Sequence, residues 1–113
     1  MPIPRSHDAR AGSYRVERVL ASSGEIPELD GLVFEVVSLP AGGRRHCYVK
    51  IRARDYWKSV ILRVRRGWKE KFAKAMRTQF RVEDLSLLDK AQETADNLLK
   101  TVKANRKKYE GLI

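Results

Sequence analysis

Residues 32–54 read LVFEVVSLPAGGRRHCYVKIRAR, and this stretch decides the fold. Leu32 to Leu39 is β-branched and aromatic, starts after Asp30-Gly31 and stops at Pro40-Ala41-Gly42-Gly43, the composition of a strand between turns. From His46 to Arg54 the chain alternates. Cys47, Val49, Ile51 and Ala53 fall on one side, with His46, Tyr48, Lys50, Arg52 and Arg54 on the other. A hairpin with Val36 opposite Val49 and Phe34 opposite Ile51 brings both apolar sets to one face. The same register sets Glu35 opposite Lys50, Val37 opposite Tyr48 and Val33 opposite Arg52. A slip of one residue would drive these polar groups into the core.

Upstream of this hairpin the pattern weakens. Tyr14, Val16 and Val19 or Leu20 alternate before Ser22-Ser23-Gly24 and Pro27, which read as breakers, so one more strand is expected there. The first twelve residues hold Pro2, Pro4 and Gly12 without an apolar period and read as a flexible arm.

Downstream, Trp57, Val60, Ile61, Val64, Trp68, Phe72, Ala75 and Met76 recur at steps of three and four. With Asp55 as cap, this spacing predicts a basic amphipathic helix over 55–81. The competing reading makes Ser59 to Arg66 a further strand ended by Gly67. The helix is preferred because the period runs through Gly67, where close packing would explain the glycine. A second helix is expected over 84–110, opened by Asp84 or Ser86 and closed by Gly111. Its stripe is Leu85, Leu88, Ala91, Ala95, Leu98, Leu99, Val102 and Tyr109. The expected class is α+β: a single domain over 13–113, with a small antiparallel sheet of about three strands over 13–54, followed by two amphipathic helices.

A chain of 113 residues, 42% hydrophobic, can bury a core as one domain, and the lone Cys47 supplies no disulfide framework. No apolar run approaches the roughly 20 residues that cross a bilayer, and Met1 to Ser6 lacks the apolar core of a signal peptide. A cytoplasmic location is therefore expected, nucleoid-associated or nuclear if eukaryotic, with no membrane partner.

The formal charge of +10 is unevenly placed. Bases and acids cancel over residues 1–49 and again over 82–113, so residues 50–81 carry the whole excess. There Lys50, Arg52, Arg54, Lys58, Arg63, Arg65, Arg66, Lys69, Lys71, Lys74, Arg77 and Arg81 face only Asp55 and Glu70. On the expected helix, Arg63, Arg66, Lys69, Lys74 and Arg77 share the face opposite the apolar stripe. Most charged helix faces are simply solvated, but they mix signs, whereas cations of one sign repel and favour an anionic partner. The expected strand face of Tyr48, Lys50, Arg52 and Arg54 interleaves an aromatic ring with cations, as a phosphate- and base-contacting sheet does. An ordinary outer strand also carries Lys and Arg. Arg44 and Arg45, at the Gly42-Gly43 turn, could enter a groove, although such a tip is more often only a turn.

Catalysis finds little support. His46 and Cys47 are neighbours on a strand and point to opposite faces, so they make neither a nucleophile and base nor two ligands of one metal. His7 is the remaining histidine, and no Walker A, GxGxxG or HExxH motif is present. A metal-dependent nuclease is the one enzyme class kept in view; no catalytic residue, metal ligand or cofactor is assigned. Trp57, Trp68 and Phe72 lie on the apolar stripe and read as core. The expected function is non-catalytic nucleic-acid binding, DNA ahead of RNA, by a domain that forms a homodimer through its long second helix. The alternative is an interaction or assembly module whose basic segment docks on an acidic partner.

Overall fold

The computed structural model describes residues 17–54 and 58–109. The arm over 1–12, Tyr14, Val16, the expected cap Asp55, Trp57 and Gly111 lie outside the described residues. The chain forms β1 (Arg18–Ile26), β2 (Leu32–Ala41), β3 (Arg44–Arg52), β4 (Ser59–Arg63), α1 (Trp68–Thr78) and α2 (Leu85–Ala104), with short 3-10 turns at Pro27–Leu29 and Arg106–Tyr109. The four strands pair antiparallel in chain order, β1-β2-β3-β4. The class is α+β, a four-stranded antiparallel sheet followed by two helices.

The β2–β3 hairpin has the register the alternation requires: Phe34 pairs with Ile51, Val36 with Val49, Glu35 with Lys50, Val37 with Tyr48 and Val33 with Arg52. Pairing continues to Ala41 and Arg44, which leaves Gly42-Gly43 as a two-residue turn with φ of 61° and 81°. Positive φ at both central residues matches the right-handed twist of a hairpin, and glycine reaches it without a steric penalty. β3 therefore starts two residues earlier than expected and releases Arg54 from the strand.

The helix expected over 55–81 is corrected. Residues Ser59–Arg63 form β4, paired with β3 through Val49–Leu62 and Ile51–Val60, and the helix begins only at Trp68. Gly67 marks the change with φ 86°, a left-handed conformation that a side chain resists. A Cβ added there would meet nothing within 4 Å, so the glycine serves the turn and not close packing.

β1 runs through Ser22-Ser23-Gly24 instead of stopping there. Its register with β2 shifts between Ser22 and Glu25, and within this irregularity the Phe34 amide donates to Ser23 Oγ at 3.0 Å. A hydroxyl thus replaces a missing backbone acceptor.

Both helices cover one sheet face, α1 over β4 and α2 over β1 and β2. Leu20, Phe34, Val36, Val49 and Ile51 meet Trp68, Phe72, Ala75 and Met76 of α1 and Leu88, Ala91, Ala95, Leu99 and Val102 of α2. Phe72 is fully buried and makes edge-on contacts with Phe34, 5.3 Å between centroids, and with Trp68, 5.9 Å. Such pairs add about 0.5–1.5 kcal/mol beyond area burial. Asp84 caps α2, its carboxylate accepting from the Ser86 and Leu87 amides at 2.8 and 3.3 Å. α2 ends at Ala104, short of the expected 110, and a 3-10 turn follows. No helix among the described residues is long and apolar enough to cross a membrane.

Candidate nucleic-acid interface

The outer sheet face differs from the open basic surface that alternation alone suggests. Lys50 Nζ lies 3.4 Å from Glu17 Oε1, and Arg52 Nε lies 3.4 Å from Glu35 Oε1, with these four side chains at most 18% exposed. Each cation is met by an acid from the neighbouring chain segment, Glu35 being diagonal to Arg52 across the hairpin. Val33, Glu35 and Val37 are buried and Tyr48 is half-buried. A phosphate approaching Lys50 or Arg52 would have to compete with Glu17 and Glu35.

Arg45 is also engaged. Its Nε donates to Ser38 Oγ at 2.9 Å and its Nη2 to the Ser38 carbonyl at 3.0 Å, satisfying a serine with no exposed surface. It braces the end of the hairpin instead of reaching outward, whereas Arg44 is exposed. Arg63 Nη2 lies 3.0 Å from His46 Nδ1, and since a guanidinium only donates, Nδ1 is the acceptor. His46 and Cys47 do face opposite ways. Cys47 packs against the core, where burial raises its thiol pKa, against a smaller lowering effect of Lys103. Among the described residues no three of His, Cys, Asp and Glu converge as metal ligands would.

The remaining cations form a band that turns around the β4 edge of the sheet. Arg63 projects from β4 on the outer face, Arg65 and Arg66 follow in the bend before Gly67, and all three are exposed. Because Arg63 pairs with Tyr48 and the Val64 amide donates to the Cys47 carbonyl, this bend lies toward the hairpin-tip end of β3, the end that carries Arg44. α1 then begins. Trp68, Phe72, Ala75 and Met76 turn inward, leaving Lys69, Glu70, Lys71, Lys74 and Arg77 exposed. Positions three apart lie one above another on a helix, so Lys71, Lys74 and Arg77 continue the band along its outer surface.

Lys69 is the exception. It lies 3.6 Å from Asp96 of α2, which Lys100 also approaches at 3.3 Å. Among the described residues no salt bridge reaches Arg63, Arg65, Arg66, Lys71, Lys74 or Arg77. No family model, curated protein or solved structure matches this chain. The candidate interface thus rests on this geometry alone.

Of the residues singled out in the sequence, the fold brings Arg44, Arg63, Arg66, Lys74 and Arg77 into one band. It sets Arg45, Lys50, Arg52 and Lys69 into internal contacts and places Arg54 at the opposite end of β3. Arg65 and Lys71 join the band although the continuous-helix reading omitted them. The signal for Arg65 was the exposed side of a strand and bend, visible only once 59–63 is read with a period of two, whereas Lys71 lies on α1 three positions before Lys74.

Proposed function

We propose that the protein is a non-catalytic nucleic-acid-binding domain that holds the phosphate backbone with the band from Arg44 and Arg63 through Arg65 and Arg66 to Lys71, Lys74 and Arg77. The observation carrying this reading is a run of exposed cations answered by Glu70 alone, on the same molecule whose strand cations Lys50 and Arg52 are matched by acids. Such a band repels itself in the free protein and gains by neutralising phosphates and releasing their counterions. Contacts of this kind position the domain without reading sequence. A protein of this kind works where nucleic acid is, in the cytoplasm or nucleus.

Docking on an acidic protein would use the same band. The feature that would favour it was an α2 stripe too large for one chain. Instead, Leu88, Ala91, Ala95, Leu99 and Val102 are spent on the protein's own sheet, and on α2 only Leu85 is a strongly exposed large apolar residue.

Binding to duplex DNA, single-stranded DNA and RNA across a salt series tests the proposal. On duplex DNA, four to six phosphate contacts give a log–log slope of about −4 to −5. Absence of binding at low salt, or affinity indifferent to salt, would overturn it.

A further inference from the structure

At the end of the sheet away from Arg65 and Arg66, a cleft of about 250 Å³ opens between the Pro27–Leu29 turn, the end of β3 and the segment joining the helices. Its apolar lining is Leu29, Leu32, Ala53, Phe80 and Val82, and its charged lining is Arg54, Lys58, Arg81 and Asp30.

Two observations single it out. Asp30 and Arg81, with φ of 55° and 56°, are the two non-glycine residues of left-handed backbone among those described, and both line this cleft. Asp30 caps the Pro27–Leu29 turn and Arg81 follows the end of α1, where the Val82 amide donates to the Met76 carbonyl at 3.0 Å, so hydrogen-bonded chain terminations fix both residues in the cleft lining. The second observation is the charge. Lys58 is held over the Phe80 ring, 5.2 Å from its centroid, and donates to the Gln79 carbonyl. The stem of Arg54 lies against Gly31, where an added Cβ would stand 3.3 Å from Arg54 Cδ. Neither contact neutralises a cation. In the adjoining compartment, Glu28 is held by Lys90 and Asp84 caps α2, while Glu83 is exposed. Among the described residues, this cleft therefore presents three cations and one acid.

We propose that this cleft binds an organic phosphate of nucleotide type. The phosphate sits among Arg54, Lys58 and Arg81, the carbon body rests on Ala53, Phe80 and Val82, and Asp30 accepts from a ligand hydroxyl or amino group. An inorganic anion would leave the apolar lining and Asp30 unused. A ligand carrying donors as well as a phosphate uses all of it. A free nucleotide or the phosphorylated end of a strand supplies this chemistry. The site is separate from the phosphate-holding band and stands or falls without it.

Amide chemical shifts of the full chain, titrated with uridine monophosphate, uridine or inorganic phosphate, test the site. Uridine monophosphate should shift Gly31, Ala53 and Phe80 to Val82 more tightly than either fragment. Arg81→Gly removes the cation and relaxes the backbone, so affinity should fall about tenfold or more, with the melting temperature unchanged or raised. Arg54→Gln should lower affinity similarly at unchanged melting temperature. An oligonucleotide with a terminal phosphate that shifts the same amides assigns the strand end, and a response to the mononucleotide alone assigns the free nucleotide. No shift at these amides, equal affinity for either fragment, or parental affinity in both variants would overturn the site, even where salt-dependent binding by the band persists.

Discussion

The β2–β3 hairpin and the β4–α1 segment are both rich in Lys and Arg, yet salt bridges take up Lys50 and Arg52 in the first while most cations of the second stand exposed. In the hairpin, register puts Glu35 beside Lys50 and diagonal to Arg52, and Glu17 completes the Lys50 pair. In β4–α1 the exposed charged residues are cationic except Glu70, and among the described residues Lys69 alone of these cations is in a salt bridge, with Asp96. Charge counted along a chain therefore differs from charge available at a surface, and strand pairing decides the difference.

The comparison breaks first in the core that both regions share. Phe72→Ala should destabilise the protein by about 3–5 kcal/mol in denaturant unfolding, because it empties the contact joining α1 to Phe34. A much smaller loss would mean that α1 is not anchored to the sheet as described. Next in size is binding. Replacing Arg65, Arg66 and Lys74 together by Gln should reduce the salt slope on duplex DNA by about 3 while leaving stability nearly unchanged. Lys50→Gln, by contrast, should leave the slope unaltered, and equal effects from the two variants would erase the distinction between the regions.

Smaller effects sharpen it. Glu35→Ala should cost about 1–2 kcal/mol of stability by removing the salt bridge to the half-buried Arg52, whereas Lys74→Ala should be close to neutral. Acid titration probes the α2 cap. Hydrogen bonds from the Ser86 hydroxyl and from the Leu87 and Ser86 amides hold the Asp84 carboxyl below the usual carboxylate range. A group depressed by folding stabilises above its unfolded pKa and loses that contribution as pH falls through the folded value. Melting temperature should therefore fall more steeply with acid in the parent than in Asp84→Asn. Least of all, Tyr48→Phe should leave both duplex affinity and stability within error.

The hairpin was legible because two independent signals agreed there: strict alternation on both sides and Gly-Gly at the turn. β4 was not, for an arithmetical reason. Val60, Val64, Trp68, Phe72 and Met76 stand four apart, and four is both twice the strand period and close to the helical turn. A strand leading into a helix with its apolar face in phase thus imitates one long helix. The punctuation lay at Gly67, whose left-handed backbone no sequence period reveals. Ser22-Ser23-Gly24 was misread in the opposite sense, since a side-chain hydroxyl can carry a strand across an irregularity that composition marks as a stop. The candidate site suffered accordingly. Clustering of cations over 50–81 was visible, and register alone set Glu35 opposite Lys50, but the diagonal Arg52–Glu35 pair and the approach of Glu17 to Lys50 follow only from the folded chain.

Strand order that follows chain order also has a kinetic meaning. Every strand finds its partner across a short connection, so each pairing closes a small loop and costs little chain entropy. The sheet can be laid down from β1 to β4 as synthesis proceeds, with α1 folding back onto the strand just completed. Only α2, the last element made, must return to β1 and β2, the first. Its docking closes the longest loops of the fold, costs the most chain entropy, and turns a growing meander into a closed domain.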